Sequence, residues 1–238
     1  MHDTVDEVVS SVEESSETDP DTGVTTEEKK ELKDGVTTED KTVTAPDGSG
    51  SIEKTVTEAN GDVKGGSVTK AAGGEVSEVT NSSTVNGVTK SEAYAGDANG
   101  LTLNKVEGAT GAVNVGGSVK GVDGGEYTVK AIGENTFEGN TDITSALISG
   151  ALELISSGAF KDCSNLEEIT FGVTNSPEPT QMIASGKKKA FSITLGKNCL
   201  KGTSKKLVIK VPDKKMKKDV KKQLKKAGNK KAKVKVVN

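Results

Sequence analysis

The sequence predicts a mainly β protein with a little α: an extended Thr/Val-rich β-meander stalk, then a short repeat solenoid closed by a Lys-rich helix and a final strand. Three observations carry this. The 238 residues are only 32% hydrophobic and 3% aromatic, with no Trp, too lean for one thick core. Glycines fall at 35, 48, 61, 74, 87 and 100, each 13 residues after the last. Beyond residue 101 larger apolar residues recur at an offset of 23.

Residues 1–22 are acidic, Ser-rich and without apolar period, which predicts a disordered leader. Residues 23–100 form the stalk. Four of its units end in Asp-Gly or Asn-Gly and one in Gly-Gly, dipeptides that accept the positive φ of hairpin turns. Thr and Val between them favour strands. Val43, Ile52, Val56, Val63, Val68, Val76, Val79, Val85 and Tyr94 are nearly all this region has to bury. The expected sheet is therefore thin, wet on both faces and weakly fixed in register. A disordered stalk and a short-coil solenoid are the competing readings.

From 101 to 238 the pattern changes. AIGENTFEGNTDITSALI (131–148) aligns with LISSGAFKDCSNLEEITF (154–171). Ile132 falls on Ile155, Phe137 on Phe160, Asn140 on Cys163, Ile143 on Leu166, Ala146 on Ile169 and Ile148 on Phe171. A third copy follows in TLGKNCLKGTSKKLVIKV (194–211), with Leu195, Leu200 and Gly202 at matching places. A period of 23 ending in L-x-x-I-x-F is a leucine-rich-repeat signature, and such units must stack to bury their apolar side.

The pattern I-G-x-x-A-F-x-x-C-x-x-L-x-x-I-x-I resembles that of BspA-like leucine-rich-repeat surface proteins of bacteria. Copy two keeps Ile155, Ala159, Phe160, Cys163, Leu166 and Ile169, with Ser156 and Phe171 as departures. Copy one keeps Ile132, Gly133 and Phe137 and departs at Thr136, Asn140 and Ala146. The stretch 113–133 resembles the strand pair that precedes the first repeat in such proteins. The resemblance implies a surface or secreted protein of interaction or adhesion, with a protein or glycan partner.

The C-terminal cap reads without the family. From about residue 213, Asp213 caps a helix whose stripe is Met216, Val220, Leu224 and Ala227. Gly228 ends it, and 232–237 alternate as a closing strand. TNSPEPTQMIASGKKK, between copies two and three, reads as a loop.

Charge is divided. Residues 1–60 hold 17 acids against 5 lysines, a balance of −12. Residues 187–238 hold 20 lysines against Asp213 and Asp219, a balance of +18. No Arg occurs anywhere. Lys214, Lys215, Lys217, Lys218, Lys221, Lys222, Lys225 and Lys226 are the candidate polyanion contacts, for instance to an anionic cell-wall polymer. Solubility and end-capping are the plain alternative. Base reading favours Arg, and stacking needs aromatics, so no specific nucleic-acid partner is expected.

Catalysis is not foreshadowed. The single His is His2, and no motif sets a base beside a nucleophile. Cys163 and Cys199 occupy inward repeat positions, which predicts inert buried thiols. A disulfide between them stays open if the chain is exported, provided the Cα atoms approach within about 7 Å. DPDTG (19–23), PDGSG (46–50) and GDANG (96–100) have turn chemistry rather than a calcium-loop ligand set. No metal or cofactor is expected. There is no apolar run long enough for a membrane span. MHDTVDEVV is too polar for a signal peptide, so the chain as given is cytoplasmic or a fragment stripped of an export signal. The strand faces of the repeat should expose Ser145, Leu147, Ser149, Glu168 and Thr170, the candidate partner-binding residues.

Overall fold

The computed structural model describes residues 10–97, 99–173 and 192–237. These divide into two compact units, one running to Ser91 with Lys120–Gly125, the other holding Glu92–Val119 and the residues from Glu126 on.

The first unit is an ordered antiparallel meander, not a disordered stalk or a coil. Its strands are β1 (Ser11–Thr18), β2 (Thr25–Lys33), β3 (Val36–Thr44), β4 (Gly50–Thr57), β5 (Val63–Lys70) and β6 (Val76–Val85), followed by β7 (Val88–Asp97). The six glycines of the 13-residue period all have positive φ, between 76° and 140°. Asp34-Gly35 and Asn86-Gly87 have both residues left-handed, as a two-residue type I′ turn requires. The other turns are longer. In 45–49, Gly48 N donates to Ala45 O at 3.0 Å and Ala45 N to Ser49 O at 2.8 Å, a type I turn closed by a left-handed glycine.

The acidic leader expected to be disordered over 1–22 is partly a strand. Ser11–Thr18 pairs with β2 through eight consecutive partners, from Ser11↔Leu32 to Thr18↔Thr25. Charge, not apolar surface, explains it. Glu14 lies opposite Lys29 and Glu13 opposite Lys30. Residues 1–9 lie outside the described residues.

The sheet is as thin as its composition suggests. Val68 and Val79 are fully buried, while Val85 is 42% exposed, and Val43, Ile52, Val56, Val63 and Val76 are half-buried. From β1 to β5 each pair of strands keeps one register, and between β5 and β6 it shifts at Thr69/Lys70. Lys29 meets Asp40, Lys30 meets Glu39 and Glu28 meets Lys41 across β2 and β3. A slip of two residues either way would oppose Lys30 to Lys41 and Glu31 to Asp40, or Glu28 to Glu39 and Glu27 to Asp40. Like charges directly opposite are unfavourable, so the ladder of charges does what a buried face does elsewhere.

The two compact units divide at Ser91/Glu92, inside β7. Tyr94, on the far part of β7, is buried like Leu101 and Leu103, and belongs with the larger apolar residues of the second unit. The second unit contains β8 (Gly100–Glu107), β9 (Gly111–Val115), β10 (Ser118–Lys120), β11 (Glu126–Ile132), β12 (Ile143–Ser149), β13 (Leu154–Ile155), β14 (Glu168–Val173), β15 (Thr194–Leu195), β16 (Val208–Val211), α1 (Lys214–Ala227) and β17 (Lys233–Val236). Parallel strands run in the order β8-β11-β13-β15 in one sheet and β9-β12-β14-β16-β17 in another, and β10 pairs with β11.

The 23-residue alignment is also the spatial register. Ile132 pairs with Ile155, and Ala146 and Ile148 pair with Ile169 and Phe171. Leu195 takes the next place beside Ile155. Phe137 and Phe160 stack at 4.9 Å. Each coil bends at two left-handed positions. Asn135, Gly158 and Asn198 share one, with φ of 55°, 69° and 57°; Gly139, Asp162 and Gly202 share the other, with 73°, 59° and 76°. Gly and Asn or Asp tolerate this conformation better than other residues.

The departures in copy one are accommodated. The Thr136 hydroxyl donates to Leu103 O or Gly133 O, each at 3.0 Å. Asn140 donates through Nδ2 to Ala109 O at 3.0 Å, and its Oδ1 accepts from Asp142 N and Ile143 N. The loop TNSPEPTQMIASGKKK lies outside the described residues.

Candidate functional site

Alternation along parallel strands sets two outward rows on the sheet of β9, β12, β14, β16 and β17. One row reads Ala112, Ser145, Glu168, Val208 and Lys233; the other reads Asn114, Leu147, Thr170, Lys210 and Lys235. Between them Ala146, Ile169, Ile209 and Val234 point inward and are buried. The repeat therefore brings four of the five candidate partner-binding residues onto one face. Ser145, Leu147 and Glu168 are half-buried there.

Thr170 and Ser149 differ from the expectation of exposure. Thr170 is 8% exposed, lying between Leu147 and Lys210, and its hydroxyl donates to Glu168 Oε1 at 3.3 Å. Ser149 is 4% exposed. The pairing shifts between Ile148↔Phe171 and Ser149↔Val173, which leaves Gly172 as an extra residue with φ of 80°. Such a bulge ends the strict in–out alternation along β14. Ser149 Oγ accepts instead from Ala151 N at 3.3 Å. Gly172, directly after the I-x-F run, was the available sequence signal.

Sequence reasoning missed the cationic side of this face. Lys210 Nζ lies 2.7 Å from Glu168 Oε2, so the central carboxylate is engaged. Lys233 and Lys235 are exposed along β17. The run KVKV read as a strand, but its partner strand, and hence these neighbours, could not be read from local pattern.

The cap is built as the sequence predicts. Asp213 takes an extended backbone, and its side chain accepts from Met216 N at 2.8 Å. Met216, Val220, Leu224 and Ala227 are the buried stripe, and Gly228 closes the helix with φ of 91°. That rotation turns Lys214, Lys215, Lys218, Lys221, Lys222, Lys225 and Lys226 to solvent and leaves Lys217 half-buried. Gln223 was not foreseen. Its Oε1 accepts from Leu195 N at 2.7 Å and its Nε2 donates to Ile193 O at 3.0 Å. One amide thus stands in for the next strand beside β15.

Both cysteines are free and fully buried. Cys163 Sγ donates to Phe137 O at 3.0 Å. Burial pushes the Cys163 thiol up to about 11 and the Cys199 thiol up to about 12, which disfavours the nucleophilic thiolate. Among the described residues no group of His, Cys, Asp or Glu is arranged to hold a metal ion. Asp19 and Asp47 cap their own turns: Asp19 accepts from the N–H groups of Asp21 and Thr22, and Asp47 from the Ser49 amide and hydroxyl. These bonds hold both carboxyls below the usual range. Among the described residues no helix is long and apolar enough to cross a membrane.

Residues 122–181 match the family described as BspA type leucine rich repeat region (6 copies). The match falls on the part of the chain that carries the motif resemblance. No curated protein matches. Among solved structures, a leucine rich cell surface protein from Faecalibacterium prausnitzii A2-165 is 17% identical, with a TM-score of 0.38, over 54% of this chain and 36% of its own. A leucine-rich repeat protein from Bacteroides ovatus is 21% identical, with a TM-score of 0.32, over 51% of this chain and 36% of its own. One from Bacteroides capillosus is 20% identical, with a TM-score of 0.32, over 51% of this chain and 94% of its own. The chain spans about a third of the length of the first two.

Proposed function

We propose that this is a non-catalytic surface or secreted interaction protein that contacts a protein or glycan through the outward rows of β12 and β14. In this reading 23–100 acts as a spacer and 101–238 as the contacting part. One observation carries it: the coil register sets Ser145, Leu147, Glu168 and Thr170 side by side in two rows, an apolar side chain among polar ones. Repeat proteins commonly bind through such regularly presented strand faces. The protonated, buried thiols support a structural use of the cysteines rather than a catalytic one.

The test is a binding screen of the full chain against protein and glycan arrays, repeated with Leu147→Ala/Glu168→Ala. A genuine partner of this face loses about tenfold in affinity, roughly 1.4 kcal/mol, while the variant still unfolds cooperatively. Partners that bind both proteins equally would assign recognition to another surface.

A further inference from the structure

The helix α1 carries eight lysines and one aspartate in 14 residues, where an end cap needs only a polar outer face. At 100° per residue these fall into two rows. Lys214, Lys218, Lys221 and Lys225 form one, exposed and without an acid in it. Lys215, Lys222 and Lys226 form the other, which is interrupted by Asp219, 3.7 Å from Lys222. Neighbours three or four apart on a helix are about 5–6 Å from one another, so the first row extends over roughly 16 Å. Like charges at that spacing repel and weaken a helix. The buried stripe and the Asp213 cap hold the helix together in spite of this. A partner with evenly spaced negative charge would relieve the repulsion.

We propose that the row Lys214, Lys218, Lys221 and Lys225 binds a linear phosphate-bearing polymer. An ammonium is a compact point charge with three donors, suited to a group with several equivalent oxygens. The fork of Arg matches carboxylate and phosphate alike, whereas Lys binds phosphate as a point charge, and this chain has no Arg. Lys230, Lys231, Lys233 and Lys235, all exposed, extend the positive field beyond the helix. This proposal is independent of the contact face on β12 and β14.

The experiment titrates short inorganic polyphosphate into the full chain at low salt, beside Lys214→Gln/Lys218→Gln/Lys221→Gln/Lys225→Gln and, as the control, Lys215→Gln/Lys222→Gln/Lys226→Gln. Gln keeps helix propensity close to that of Lys. Loss of the first row should weaken binding by about tenfold or more and flatten the salt dependence, as lost ion contacts do; the control should lose about threefold or less. Acetylation footprinting of the unaltered protein gives a readout that does not depend on variant folding: polyphosphate should protect the first row over the second. Absence of binding at low salt, or equal loss per charge in the two variants, overturns the proposal. So does uniform protection of the helix lysines. Equal affinity for polyglutamate of matched charge overturns the assignment to phosphate.

Discussion

Cys163 shows how a reactive residue type becomes a packing group. It sits at the place held by Asn140 one coil earlier, and each side chain donates to a carbonyl, Cys163 to Phe137 O and Asn140 to Ala109 O. Cys199 occupies the place of Ala159, and both are fully buried. The native thiols should resist DTNB at pH 8 and react promptly once the chain is unfolded. Their raised values also fix a sign. Above the ordinary thiol value of 9.0 an unfolded chain loses these protons, while the folded chain retains them up to about 11 and about 12. The unfolded state then binds fewer protons, so this contribution to stability falls as pH rises through that window. Thermal melts from pH 8 to 11 should therefore decline more steeply for the native chain than for Cys163→Ala/Cys199→Ala. Equal slopes would mean that the thiols do not contribute.

At the scale of elements, the chain ends its sheets by different means. The β15 edge is closed by the Gln223 amide, and the α1 C-terminus adds bonds from Asn198 N to Lys226 O and from Leu200 N to Ala227 O. Gln223→Leu leaves a donor and an acceptor of that edge without partners, and should destabilise the second unit by about 1–3 kcal/mol in urea unfolding. Gln223→Glu, which keeps the acceptor, should lose less. The meander relies on charge order instead. Lys30→Glu places a carboxylate between Glu13 and Glu39 and should lower the melting temperature at low salt. Screening should shrink the loss. Adding Glu39→Lys should recover part of it, since one opposed pair is restored. These elements differ in legibility. The helix, its caps and its buried stripe were readable because each signal is local. Gln223 was not, because a polar residue mid-helix shows its role only when the strand it serves, nearly 30 residues away in sequence, is in place.

Across the whole molecule, periodicity carried the reading. The offset of 23 predicted which residues pair, down to Ile148 beside Phe171, since stacked coils must superpose their inward positions. The 13-residue glycine period predicted turns at positive φ. What escaped was set between strands rather than along them: the charge ladder that orders Ser11–Thr18, the bulge at Gly172 beside a buried Ser149, and Lys210 engaging Glu168. The candidate face was legible as a row of alternate residues, but not its cationic neighbours. The central claim is that this face makes contact. Hydrogen–deuterium exchange of the full chain with and without a partner found in the array screen tests it most directly. Added protection concentrated in 143–149 and 168–173 is the predicted result. Protection confined to other segments, with these two unchanged, would contradict the account.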